Sequence, residues 1–306
     1  MCLCVLVVSF RPGSGVMLTL VKSLVSSETL NNTANGDRMV ILGSGGARIV
    51  VAKQLRASGG IWFSLAGTRF LLDPGPGSLV RMTGSRHRLD PTKLAGILLS
   101  HRHLDHSGDV NNMIEAMTMG GTEPRGALFA PSDALEGDDP VVLKYVRPFL
   151  QRIVTLTEGG SYELGSVRFT CPVRHQHRGE VYGFRFEVPG LTISYVADTR
   201  YFPELAEHYR ADVVIMNVVR PTPSNLDHLS ASDAEELVKA IRPKLAVLGH
   251  FGMRMLAAKP WVIAREMSER TGCKVVAASD GMLIDLEPLK AAIPNSQLPI
   301  PNTGAA

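Results

Sequence analysis

The chain has 306 residues, ordinary apolar content and a net charge of +3 with its histidines neutral. That length allows one large α/β domain with a proper core, or two small ones, and so mild a basic balance does not by itself argue for a nucleic-acid partner. No apolar run reaches the roughly 18 residues that a membrane-spanning helix needs, and the four cysteines (Cys2, Cys4, Cys171 and Cys273) form no spaced framework, which fits a reducing cytoplasm.

Residues 1–38 read as an extension outside the fold. An apolar start is broken by Arg11-Pro12-Gly13-Ser14-Gly15, and a polar linker runs from Asn31 to Asp37. Without a positive start or a small-residue cleavage pattern it does not read as a signal peptide; Met39 or Met17 is the expected start of translation. The first strand begins at Met39. Gly43-Ser44-Gly45-Gly46 lacks the Lys-Ser/Thr ending of a phosphate loop and reads as a strand-ending turn. Ile61–Leu65 and Arg69–Leu72 form a hairpin around Ala66-Gly67-Thr68, and its second strand delivers Asp73-Pro74-Gly75-Pro76-Gly77. The basic run Arg81, Arg86, His87, Arg88 and Lys93 reads first as a solvated loop, and alternatively as a patch that attracts a phosphate-bearing substrate.

The most informative stretch follows the apolar run Ala95–Leu99. In Ser100-His101-Arg102-His103-Leu104-Asp105-His106-Ser107-Gly108, four candidate metal ligands fall within six residues at the expected end of a buried strand. His101 and His103 point the same way in extended backbone, and Asp105 and His106 follow where the chain turns into a helix. Imidazoles with a carboxylate suit zinc and neighbouring first-row metals.

This motif resembles the signature of the metallo-β-lactamase fold superfamily. The resemblance implies a single α/β domain over residues 39–287, built as a four-layer αββα sandwich with a dinuclear metal site along one edge. It implies zinc as the default pair of ions, with manganese or iron as alternatives. It also makes Asp73 a residue that orients metal ligands by hydrogen bonding.

Downstream, Asp109–Met119 reads as a helix with Val110, Met113, Ile114 and Met117 inward, and Ala127–Ala130 as a strand. Asp139-Pro140 is expected to open a second helix burying Val141, Val142, Tyr145 and Phe149. From Gly160 the chain is strand-rich. His175 and His177 both suit a ligand position; the frame His177-Arg178-Gly179-Glu180-Val181-Tyr182-Gly183-Phe184-Arg185 resembles that of ribonuclease Z and its relatives and selects His177, with His175 as the alternative. Asp198, ending the strand Leu191–Ala197, matches the family's bridging ligand. A cysteine at that place marks the β-lactam-opening branch, so Asp198 argues against that activity.

His228 lies in a loop before a helix over Ala231–Ile241, where Ser230 and Ser232 can cap and Ser232 with Glu235 has capping-box spacing. The resemblance places His228 facing a scissile phosphate. His250, ending the strand Lys244–Gly249, matches the family's last ligand. The chain beyond 287 is Pro- and Ala-rich and is expected to fray.

The implied set is His101, His103 and His177 on one ion, and Asp105, His106 and His250 on the other, with Asp198 between them. Two ions so held lower the pKa of a bridging water toward neutrality, which implies hydrolysis by hydroxide. Asp105 would take up the water's proton, and His228, paired with Glu180, would protonate a poor leaving group. That acid points to a phosphodiester. Ser107-Gly108-Asp109-Val110, Asp73-Pro74-Gly75-Pro76-Gly77 and the lack of a Gly- and Lys-rich arm depart from ribonuclease Z, so a small or nucleotide-like phosphodiester is expected before transfer RNA. The alternatives are a lactone or thioester hydrolase on the same ions, and a non-catalytic metal-binding protein. The oligomeric state is not legible.

Overall fold

The computed structural model describes residues 36–291. The expectations for residues 1–35 and 292–306 fall outside that span. The first sheet takes β1 (Arg38–Ile41), β2 (Ile61–Leu65), β3 (Thr68–Leu72), β4 (Gly96–Leu98), β5 (Ala127–Ala130) and β6 (Arg152–Thr155). The second takes β7 (Ser161–Leu164), β8 (Val167–Thr170), β9 (Phe184–Val188), β10 (Leu191–Val196), β11 (Val213–Arg220), β12 (Leu229–Ser230), β13 (Leu245–Gly249) and β14 (Val275–Ala277). The chain then returns through β15 (Met282–Asp285) to pair with β1, so the first sheet runs β15-β1-β2-β3-β4-β5-β6. The second runs β14-β13-β11-β10-β9-β8-β7, with short β12 beside β11.

Both sheets follow one plan. An antiparallel portion built from hairpins adjoins a parallel portion: β3, β4, β5 and β6 in the first sheet, β10, β11, β13 and β14 in the second. The β2–β3 hairpin turns on Ala66 and Gly67, both at positive φ, as a tight two-residue connection between right-twisted strands requires.

Strand periodicity builds the layers. Successive side chains face opposite sides of a sheet, and here both sides are apolar. Met39, Leu98, Ile193, Ile215 and Val247 pack between the sheets. Their neighbours Val40, Ile97 and Leu99 face helices of the first outer layer, α2 (Ser78–Thr83) and α4 (Val110–Met117). Val214, Met216 and Leu248 face α7 (Ala231–Ile241) and α9 (Pro260–Thr271) on the other side. The result is the expected four-layer sandwich. Phe63 and Phe70 of the first sheet lie 5.7 Å and 5.3 Å from Phe186 of the second, centroid to centroid. Such pairs add about 0.5–1.5 kcal/mol each beyond the area they bury.

Four local expectations are corrected. The fold begins before Met39: Asp37 is buried, its carboxylate accepts from the Ala66 N–H, and Arg38 opens β1. It also continues past residue 287, where Lys290 Nζ lies 3.1 Å from Asp37 Oδ2 and the Ala291 N–H donates to the Gly190 carbonyl. The helix expected after Pro140 is a 3₁₀ segment, Lys144–Phe149, and Pro148 inside it, whose ring would clash with the preceding turn, is incompatible with a continuous α-helix. Val142 and Val146 are buried and Tyr145 is exposed. Finally, α7 is capped by Ser230 with Asp233, each bonding the other's backbone N–H, while Glu235 pairs with Arg270 and Lys239.

Candidate metal centre

Strand ends at one edge of the sandwich supply the centre. β3 ends at Asp73, β4 leads through Leu99 and Ser100 to His101, β10 ends just before Ala197 and Asp198, and β13 delivers His250. All four are carboxyl ends of strands in parallel portions, where α/β sheets bind ligands. After His101 the backbone stays extended to His103 (φ −60°, ψ 142°), which caps the short helix α3, Leu104–Ser107. The turn places Asp105 and His106 beside the two extended histidines.

Asp198 is the hub. One or other of its oxygens lies 4.0 Å from His101 Nε2, 3.6 Å from His106 Nε2, 3.4 Å from His228 Nδ1 and 3.6 Å from His250 Nδ1. To one side, His177 Nε2 lies 3.2 Å from His103 Nδ1, and the His101 ring stands edge-on to both. To the other, His250 Nε2 lies 2.9 Å from His106 Nε2 and 3.3 Å from Asp105 Oδ2. The ligand atoms fall into groups within 4.8 Å of one another, among them His101 with His103 and His177, and Asp105 with His106 and His250.

Hydrogen bonds outside the cluster fix which ring nitrogens are bare. His106 Nδ1 is 3.0 Å from Asp73 Oδ2, so it carries the proton and Nε2 is free. Ser100 Oγ donates its one proton to Asp73 Oδ2 at 2.7 Å, so it must accept from His101 Nδ1 at 2.9 Å, which again bares Nε2. His177 Nδ1 donates to the Asp227 carbonyl at 2.7 Å. Three Nε2 lone pairs are thereby turned inward. His101 Nε2, His228 Nδ1 and His250 Nδ1 are buried without a hydrogen-bond partner among the described residues. Buried polar atoms left so are costly, and a cation in the cluster would satisfy those of His101 and His250. The donor set therefore fits divalent ions of the zinc type.

The electrostatics agree. Burial, reinforced by His106, holds His101 well below its ordinary pKa, and burial with His177 lowers His103, so both rings are neutral at pH 7, as metal ligation would require. Burial opposes ionisation of Asp105 and Asp198 but is outweighed by the neighbouring imidazoles: His106 and His250 hold Asp105 low, and His250 and His106 hold Asp198 well below the usual range. For His106, burial is outweighed by Asp198 and Asp105, which draw positive charge onto the ring. Two buried carboxylates with such a field would hold a metal ion in place of that proton.

The seven expected ligand residues and His228 converge. His175 does not join them: its ring is buried against Tyr209, with Nε2 2.7 Å from the Tyr209 hydroxyl, and burial lowers its pKa to about 3. Glu180 departs from expectation. Its oxygens accept from Ser132 N and Oγ and from the Tyr182 hydroxyl, so the expected pairing with His228 is not made. The basic run's Arg81 and Arg86 line a groove one loop away.

Several supporting residues lie outside the ligand motifs. Asn217 Nδ2 donates to Asp198 Oδ1 and to the Tyr195 hydroxyl, which in turn donates to Asp73 Oδ2, tying the hub to the ligand-orienting carboxylate. Asn217 is the one polar residue inside the apolar run Val213–Val219, a signal that a buried polar group needs a partner. The Ala47 N–H donates to Asp105 Oδ2. A Cβ on Gly46 would meet His250 Cδ2 at 2.2 Å, so only glycine lets the loop pass under that ring.

Fold and centre together define a metal-dependent hydrolase of the metallo-β-lactamase fold. Residues 68–251 match the family model for the beta-lactamase superfamily domain, and the chain belongs to that family. It is 30% identical to the uncharacterized protein MJ1374 of Methanocaldococcus jannaschii, over 81% of this chain and 94% of that one. It is 25% identical to a ribonuclease Z of Kineococcus radiotolerans, over 83% of this chain and 96% of that one. Among solved structures, the metallo-beta-lactamase fold protein YhfI from Bacillus subtilis superposes with a TM-score of 0.67 at 18% identity, covering 82% of this chain and 99% of that one.

Proposed function

We propose that the centre holds two divalent ions and hydrolyses a small or nucleotide-like phosphodiester. His101, His103 and His177 would hold the first ion and Asp105, His106 and His250 the second, with Asp198 reaching both. Zinc is the default for this donor set, with manganese or iron as alternatives. Such a pair, when bound, supplies Lewis acidity and water activated near neutral pH. Asp105, anchored by the Ala47 N–H, orients the attacking water and takes up its proton. The buried, unpaired Cys171 and Cys273 suit a cytoplasmic setting.

The observation that carries the phosphodiester reading is the position of His228. Its Nδ1 lies 3.4 Å from Asp198 and its ring centroid 4.8 Å from that of His177. Burial depresses its pKa to about 4, so the ring is neutral at pH 7 until an anion arrives. The negative charge of a phosphodiester favours the imidazolium; a neutral lactone does not. His228 can then hand its proton to the departing alkoxide. A bis-aryl phosphodiester, assayed beside lactones and thioesters with metal-loaded protein, tests this. We expect His228→Ala to lower phosphodiester turnover by about 10²–10⁴-fold at unchanged metal content; a loss under about tenfold sinks the acid role.

One observation favours a second reading, a lactone or thioester hydrolase. With Glu180 engaged by Ser132 and Tyr182, His228 lacks the carboxylate expected to support a proton donor. There it would bind the substrate without giving up a proton, and acyl turnover would exceed phosphodiester turnover in the same panel.

A further inference from the structure

The loop Gly43–Ala47 separates the metal centre from a second concavity. On the centre's side, Gly46 passes under His250 and the Ala47 N–H reaches Asp105. On the other side is a groove of about 350 Å³ lined by Leu42, Val80, Arg81, Arg86 and Asp280. β1 and β3 run parallel, so Leu42, just past β1, lies at the same sheet edge as Asp73 and the centre.

The groove is electrically one-sided. Arg81 and Arg86 are exposed and neither has a carboxylate partner among the described residues; Arg86 Nε donates only to His87 Nε2, at 3.4 Å. Asp280, the acidic group of the groove, is already committed. Its oxygens accept from Ser44 N, Ser44 Oγ and Ala57 N, which hold the loop in place. Between Leu42 and Leu89, lysines and arginines outnumber carboxylates seven to one, and that one is buried Asp73. With an overall charge of +3, the rest of the chain is therefore net acidic. Of these basic residues Arg81 and Arg86 line the groove.

From this juxtaposition we infer that the Arg81–Arg86 groove is a subsite for a second, non-reacting phosphate of the substrate. Guanidinium groups present forked donors that match phosphate oxygens. The inference rests on the phosphodiester reading, and it selects substrates with a further phosphate within a nucleotide's reach of the scissile one. A terminal phosphate and an internal link of a longer strand are two sources of the same chemistry.

The test is calorimetric binding to the metal-loaded full chain of a dinucleotide whose internucleoside link is an uncharged, uncleavable methylphosphonate. It is compared with and without a 5′-phosphate, and with an otherwise uncharged tetranucleotide analogue carrying one internal anionic phosphinate link, which has no ester bond to hydrolyse. We expect the added phosphate, in one or both positions, to tighten binding at least about tenfold, and the Arg81→Ala/Arg86→Ala double variant to lose most of that gain. Turnover of a bis-aryl phosphodiester, which has no second phosphate, should be unchanged in the double variant. No gain from either phosphate, or a gain that survives the double substitution, overturns the subsite. Binding that behaves as expected without hydrolysis of any phosphodiester would retain the subsite and reject the phosphodiesterase reading instead.

Discussion

Asp73 Oδ2 lies 3.0 Å from His106 Nδ1, and the same carboxylate takes hydrogen bonds from Ser100 N, Ser100 Oγ and Tyr195 OH. One carboxylate thus sets the tautomer of His106 directly and that of His101 through Ser100. It belongs to none of the groups of converging ligand atoms itself. Asp73→Asn keeps the shape but removes the charge and can turn a donor toward the ring. Metal affinity should fall about 10–100-fold, the range for residues that orient metal ligands. Competition against a chromophoric chelator reads this directly; an unchanged affinity would show that the ligands orient themselves.

His175 and His177 are separated by one residue and have different environments. His177 Nε2 faces His103, whereas His175 is buried against Tyr209. His177→Ala should lose about one of two bound metal equivalents by elemental analysis, and nearly all activity. His175→Gln should keep both equivalents and reveal itself in the melting temperature. The reverse pattern would exchange their roles.

Much of this was legible because the donors in His101-Arg102-His103-Leu104-Asp105-His106 are local in sequence and strand ends are marked by apolar runs that stop at Asp73, Asp198 and His250. The layers were legible because both faces of β4, β11 and β13 are apolar. What escaped depends on distance between chain segments. Nothing local shows that Asn217 would meet Asp198 and Tyr195, or that Glu180 would be captured by Ser132. The apolar spacing after Pro140 suits a helix, but Pro148 interrupts it. Of the two expected caps Ser230 serves, and the box is formed by Ser230 with Asp233, whose spacing Ser232 and Glu235 share.

Gly46 should be the least replaceable small residue near the centre. Alanine there would place a Cβ 2.2 Å from His250 Cδ2, against a buried residue at φ +58°. The loop or the ring must shift, and either breaks the 3.3 Å approach of His250 to Asp105. Gly46→Ala should lower affinity at the second ion and cut turnover by at least about tenfold, a misplacement of about 1 Å being able to cost 10²-fold. Wild-type turnover in this variant would mean that the loop yields without moving His250.

Removal of the ions by a chelator should abolish hydrolysis, and re-addition of zinc, manganese or ferrous iron should restore it to different extents. Activity that persists in protein proven metal-free by elemental analysis would refute metal-dependent catalysis by this centre.

Acid should destabilise the metal-free protein in a window that His175 helps to define. Burial holds its folded-state pKa at about 3, against an ordinary 6.5. Between those values the unfolded chain binds a proton that the folded chain excludes. Stability is therefore lost as pH falls from 6.5 toward 3, at up to about 1.4 kcal/mol per pH unit for this one group. Below 3 both states are protonated and the slope from this residue vanishes. His175→Gln removes the titrating group and can keep a hydrogen bond to the Tyr209 hydroxyl. In chelator-treated protein, urea unfolding at intervals between pH 6.5 and 3.5 should show a shallower decline for the variant than for the wild type. Parallel curves would mean that the imidazole reaches water or a compensating acid when it is protonated, contrary to its burial behind Tyr209.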